Sequence, residues 1–143
     1  MLELKTYSFE KLDVWKEARK LVLKIYQLTS RFPPDEKFGL VSQMRRAVIS
    51  VSTNTSEGSS RESLKDQARF SEIAYGSLME LLNESILSFD LCYITEAELI
   101  DIRIDVDSIS SKLTGLRKSQ VTRHKKNLKP SLLAATLSNP LTF

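Results

Sequence analysis

Six apolar residues in the last third of the chain, Leu99, Ile102, Val106, Ile109, Leu113 and Leu116, step by three, four, three, four and three. That rhythm places them on one face of a helix, and it is the feature that most restricts what the chain can fold into. A shorter pattern competes with it, because Ile100, Ile102, Ile104 and Val106 alternate with polar residues as a strand would. The longer run prevails, since Thr95-Glu96-Ala97-Glu98 just before it is a complete capping box.

Three further segments keep the same spacing. Leu12, Trp15, Ala18, Val22, Ile25, Leu28 and Phe32 predict a helix from about Phe9 to Arg31, with Trp15 on its core face. Pro33-Pro34 ends it, because proline removes a donor and restricts the residue before it. Asp35 and Glu36 then favour a second N-terminus, followed by the stripe Leu40, Met44, Ala47, Val48 and Val51. The run Ser50 to Ser56 is rich in residues that compete for backbone hydrogen bonds, and Gly58-Ser59-Ser60 reads as the break.

A third helix is expected from near Arg61 to about Cys92, with Ser59 and Glu62 at capping-box spacing. Its apolar residues exceed one stripe. Phe70, Ile73, Ala74 and Leu81 are joined by Leu78, Leu82, Ile86 and Phe89, a width that calls for more than one neighbour. Gly76 in mid-helix costs about 1 kcal/mol relative to Ala, which points to a close backbone approach there. With only 4 Gly and 4 Pro in 143 residues, long regular elements are favoured. The expectation is an all-α, antiparallel up-down four-helix bundle over residues 9–118, after an N-terminal arm (1–8) and before a basic, flexible C-terminal tail (119–143).

The net charge of +3 conceals an asymmetry. Residues 1–116 hold 15 basic side chains against all 18 acids, whereas residues 117–143 hold 6 basic ones and no acid. Arg117, Lys118, Arg123, Lys125, Lys126 and Lys129 thus form either a solvated end or a segment that attracts polyanions by counterion release.

Several chemistries find no support. His124 is the only histidine and Cys92 the only cysteine, so neither a zinc site nor a disulfide framework is expected. Cys92, among Phe89, Leu91, Tyr93 and Ile94, reads as a buried inert thiol. There is no Walker loop or dinucleotide fingerprint, and no cofactor or catalytic residue is expected. The chain shows neither a leader pattern nor an apolar run of about 20 residues, so a cytoplasmic protein without a membrane association is the expectation.

Arg45-Arg46 is the most prominent basic element of the body. Two readings are open: ordinary ion pairs within the bundle, or one arginine held inside while the other meets phosphate or a neighbouring subunit. Glu57 and Arg61, four apart, can pair along a helix or, with Gly58 between them, form a polar helix junction.

Taken together, Phe9 to Ala18, Phe32-Pro33 with Glu36, Gln43-Met44-Arg45-Arg46-Ala47 with Ser50, Asn54 with Glu57-Gly58 and Arg61, and Phe70, Ala74, Gly76-Ser77 and Glu80 occur in a characteristic order, with Leu116 closing the set. The pattern resembles the bacterial four-helix-bundle family encoded by intervening sequences of large-subunit ribosomal RNA genes, over roughly residues 8–118. The family's Ser-Asn-Ile-Ala-Glu-Gly stretch stands here as the more polar Thr53-Asn54-Thr55-Ser56-Glu57-Gly58, and Ser52 replaces a frequent proline. The resemblance implies a bundle that assembles as a homo-oligomer, a ring of five, with Trp15, Gln43, Asn54, Glu57, Gly58, Gly76 and Glu80 in structural or assembly roles. A similar fold serves as the accessory protein of diversity-generating retroelements. The functional expectation is a non-enzymatic bundle that binds RNA, or an RNA-containing complex, through Arg45, Arg46, Arg61 and the basic residues from Arg117 to Lys129. The rival is a protein–protein adaptor or accessory subunit, for example of a reverse transcriptase, without a nucleic-acid role.

Overall fold

The computed structural model describes the backbone of residues 2–137 and the side chains of residues 2–128. Four helices, α1 (Asp13–Thr29), α2 (Leu40–Ser59), α3 (Leu64–Asp90) and α4 (Glu96–Leu137), form an antiparallel bundle with no strand among the described residues. Ser50 meets Ser77 and Met44 meets Ser88, so α2 and α3 run in opposite directions. Glu17 with Lys112, Lys24 with Asp105 and Arg31 with Glu98 give the same relation for α1 and α4. The core is the apolar spacing made physical. Ala18, Leu21 and Ile25 meet Met44, Val48 and Val51 of α2, Ala74, Leu78 and Leu81 of α3, and Ile102, Val106, Ile109 and Leu113 of α4, all in one buried cluster.

The first helix departs from expectation at its start. Ser8–Lys11 is a 3₁₀ turn, stabilised by the Tyr7 N–H donating to Glu10 Oε2 at 2.7 Å, and Leu12 is extended, so α1 begins at Asp13. The turn folds Phe9 back edge-on against Trp15, with ring centres 5.0 Å apart. Trp15 is consequently half-buried at the side of the bundle, and the core stripe runs through Val14 and Leu21 in place of Trp15 and Val22.

The polar run in α2 does not break it. Asn54 donates to the Ser50 carbonyl and Thr55 to that of Val51, while Ser52, Ser56 and Ser59 donate to the carbonyl three residues back. Each side chain thus bonds to the helix's own backbone without displacing the ladder. Gly58 lies inside the helix, and the chain turns only at Ser60–Ser63. The cap of α3 is accordingly Ser63, whose hydroxyl accepts from the Asp66 N–H, and not Ser59 with Glu62.

The close approach expected at Gly76 falls at Gly58 instead. A Cβ on Gly58 would lie 2.8 Å from Phe70 Cβ, so this is where α2 and α3 approach closely, whereas a Cβ on Gly76 would meet nothing within 4 Å. Cys92 is exposed, not buried, and adopts φ 64° just after α3, a left-handed residue that turns the chain toward α4. The capping box that opens α4 is present in full: Glu98 N–H donates to Thr95 Oγ1 and Thr95 N–H to Glu98 Oε1.

The largest departure is the length of α4. It does not stop near Leu116 but continues through Pro130 to Leu137, 42 residues in all, or about 63 Å. Gln120, buried and accepting a hydrogen bond from Ser71, carries its packing one turn beyond Leu116.

Candidate functional site

Two surfaces gather the side chains that the sequence singles out. The first is a cleft of about 450 Å³ between α2 and α3, lined by Gln43, Arg46, Ala47, Ser50 and Glu80. Positions 43, 46, 47 and 50 share one side of α2 because a helix repeats every 3.6 residues. At its edge the Asn54 amide donates to both the carbonyl and the hydroxyl of Ser50, and the Ser50 hydroxyl meets Ser77 at 2.8 Å. Asn54 therefore holds a polar tie between the two helices.

A buried residue beside Glu80 had no signal in the sequence. Glu84, one turn after Glu80, is 3 % exposed and its Oε2 has no hydrogen-bond partner. Burial, with the Glu80 carboxylate beside it, pushes its carboxyl up from the usual 4.5 to about 7. A buried carboxyl disfavours its charged form, and a like charge nearby adds to that. Glutamate on a helix ordinarily faces water, so only the three-dimensional register exposes this one as unusual.

Arg45 and Arg46 separate, as adjacent helical residues must. Arg45 is bound into the bundle: its Nε donates to Thr29 Oγ1 at 3.0 Å, and its guanidinium lies 4.4 Å from the centre of the Tyr26 ring. Thr29 passes its own proton to the Ile25 carbonyl at 2.7 Å, so the arginine completes a chain of donors into α1. Arg45 is thus held against α1 and half-buried. Arg46 is exposed at the cleft and forms no ion pair among the described residues. Arg61 sits at the α2–α3 turn, 4.6 Å from the Phe70 ring centre and 3.9 Å from the Glu57 carboxylate. That ion pair is long and exposed, a contact of little energetic weight, and Arg61 serves chiefly to cover the aromatic ring that packs on Gly58.

The second surface is the outer side of α4. Lys118 and Lys125 lie two turns apart on one side of a groove with Glu72, Tyr75, Thr114, Arg117 and Val121. Arg117 is drawn to Glu72 at 3.6 Å, while Arg123, Lys125 and Lys126 continue the exposed charge. Lys129 is carried on the same helix, and its side chain lies outside the described residues. No acidic residue follows Asp107 in the sequence. Among the described residues no group of three His, Cys, Asp or Glu side chains is placed to hold a metal. No helix among them is long and apolar enough to cross a membrane.

An antiparallel four-helix bundle with a basic extension of α4 and a polar α2–α3 cleft defines a class of small helical scaffold. The chain matches the family described as 23S rRNA-intervening sequence protein over residues 10–115, and it belongs to that family. A crystal structure from Bacteroides thetaiotaomicron VPI-5482, of a protein with unknown function from the S23 ribosomal protein family, has the same fold. It superposes with a TM-score of 0.69 at 23% identity, covering 73% of this chain and 95% of that one. No curated protein matches.

Proposed function

We propose that this chain is a non-enzymatic, cytoplasmic bundle that binds RNA, or an RNA-containing complex, through the outer face of α4, and that it does so as a homo-oligomer, a ring of five. The observation that supports the RNA reading most is the extension of α4. A helix 42 residues long presents Lys118, Arg123, Lys125 and Lys126 in fixed register, with no acid after Asp107 to neutralise them. Basic side chains on one rigid rod release condensed counterions from a phosphate backbone, which is the main term in sequence-independent binding. Tyr75 beside Lys118 adds an aromatic face on which an unpaired base can stack. A ring multiplies the modest charge of one copy, and such multivalency raises avidity by about 10²–10⁴ without new contacts.

The adaptor reading has its own support in a groove of about 530 Å³ lined by Phe9, Trp15, Arg19, Val22 and Leu23, where apolar and cationic groups lie together. Fluorescence anisotropy with a labelled single-stranded RNA separates the two. The RNA reading expects affinity to fall with salt at a slope of about −0.7 per phosphate contact. Replacing Lys118, Lys125 and Lys126 by Ala then flattens that slope by about 2. No binding at low salt, or a slope indifferent to the triple substitution, refutes the RNA reading and leaves the adaptor.

A further inference from the structure

The basic stretch of α4 is one wall of a groove whose other wall is α3. The groove measures about 610 Å³, inside the range of about 300–1,000 Å³ that holds small organic ligands. Thr114, Lys118, Val121 and Lys125 line it from one face of α4, and Glu72 and Tyr75 line it from α3. Leu113 is buried beneath and Val121 is half-buried, so the floor is apolar, while Tyr75 is 38 % exposed. Arg117 is taken up by Glu72 at 3.6 Å, whereas Lys118 and Lys125 stand in no ion pair among the described residues. Seven residues at about 1.5 Å each set these two lysines about 10 Å apart along the rim.

We propose that this groove takes a single nucleic-acid strand, with an unpaired base on Tyr75 and the strand's phosphates along Lys118 and Lys125, and that it selects single-stranded over duplex RNA. The inference rests on the RNA reading of α4 and deepens it by naming the form of RNA that the site takes. A small anion such as inorganic phosphate leaves the aromatic ring and the apolar floor unused, and an apolar guest leaves two positive charges unmatched. A single strand satisfies both, because every nucleotide carries one negative charge and one flat π-face. Packed helices lie about 8–10 Å apart, so the trough between α3 and α4 has room for one strand. In a duplex the bases stay in the stack and present their edges, not their faces. Tyr75 then has no base to lie against, and only the lysines are engaged.

The test is fluorescence anisotropy with the full chain and a labelled RNA strand of about 12 nucleotides, within the span that such grooves cover. The strand is measured free and annealed to its complement, and the free strand is expected to bind more tightly. Tyr75→Leu keeps the side chain apolar and removes the ring. It weakens single-strand binding by about 5- to 140-fold, the loss of one base stack, and leaves duplex affinity and helical circular dichroism unchanged. Tyr75→Phe, which retains the ring, restores the binding. Lys118→Ala combined with Lys125→Ala instead weakens both forms and flattens their salt dependence. The ring-proton NMR signals of Tyr75, assigned by their loss in Tyr75→Leu, move upfield with the single strand only. Equal affinity for strand and duplex, or single-strand affinity indifferent to Tyr75→Leu, overturns the inference and leaves the RNA reading standing. Binding of neither form overturns both.

Discussion

Replacing Glu84 by Gln keeps the shape of the side chain and removes its titration, which makes it a direct measure of what the buried acid does to stability. In the folded chain the carboxyl is pushed up from 4.5 to about 7, first by burial and then by Glu80. Between those values the folded state holds a proton that the unfolded state has released, so stability falls as pH rises through the interval. At about 1.4 kcal/mol per pH unit, the folded chain loses roughly 2–3 kcal/mol from this group between pH 5 and pH 8. The Gln variant lacks that loss. It is therefore more stable than the parent at pH 8 by roughly 2–3 kcal/mol more than at pH 5, the common background cancelling in the difference. Urea is the denaturant of choice, because guanidinium chloride also raises the ionic strength and screens Glu80 from Glu84, and both proteins are compared at one concentration so that association does not enter. Parallel stability curves for the two proteins from pH 5 to pH 8 would refute the reasoning and show that water already reaches the Glu84 carboxyl.

Three further outcomes test the packing. Gly58→Ala drives a methyl to 2.8 Å from Phe70 Cβ, and overpacking of this kind costs about 1–3 kcal/mol, read as a lower melting temperature. Gly76→Ala meets no neighbour in the chain and gains about 1 kcal/mol from helix propensity, so the two glycine substitutions move the melting temperature in opposite directions. Ser63→Ala removes the acceptor of the Asp66 N–H and costs about 1 kcal/mol, whereas Ser59→Ala, whose hydroxyl only bonds back within α2, changes denaturant midpoints little.

The periodicity of α4 and its capping box were legible because both are local: Thr95 and Glu98 need only each other, and Leu99 to Leu113 bury in the order their spacing implies. The end of α2 was not legible. Serine, threonine and asparagine are turn formers when their side chains replace a backbone partner, but Asn54 and Thr55 bond to carbonyls four residues back inside the helix, and composition does not distinguish the two uses. Close approach at Gly58 instead of Gly76 depends on where Phe70 arrives from α3, a fact of tertiary register. The start of α1 was not legible for a related reason, since Trp15 has the right spacing for the core but packs against Phe9. In the candidate site the basic residues were visible as charge, and their continuation on one helix was not, because apolar periodicity fades after Leu116 while the backbone stays helical.

The ion pairs along the α1–α4 edge join residues 67 to 95 positions apart in the chain. Hairpins between successive helices close short loops, and loop closure has to be met before distant contacts repay it. The α1–α4 edge therefore closes the longest loop of the bundle, and it is lined by Glu17, Lys24, Arg31, Glu98, Asp105 and Lys112. Exposed charge attracts over about 30 Å at about 0.01 M salt and over only about 3 Å at about 1 M. The longest-range closure of the bundle is thus helped by a force whose reach is set by the surrounding electrolyte, while the core beneath it depends on apolar spacing that the electrolyte leaves largely alone.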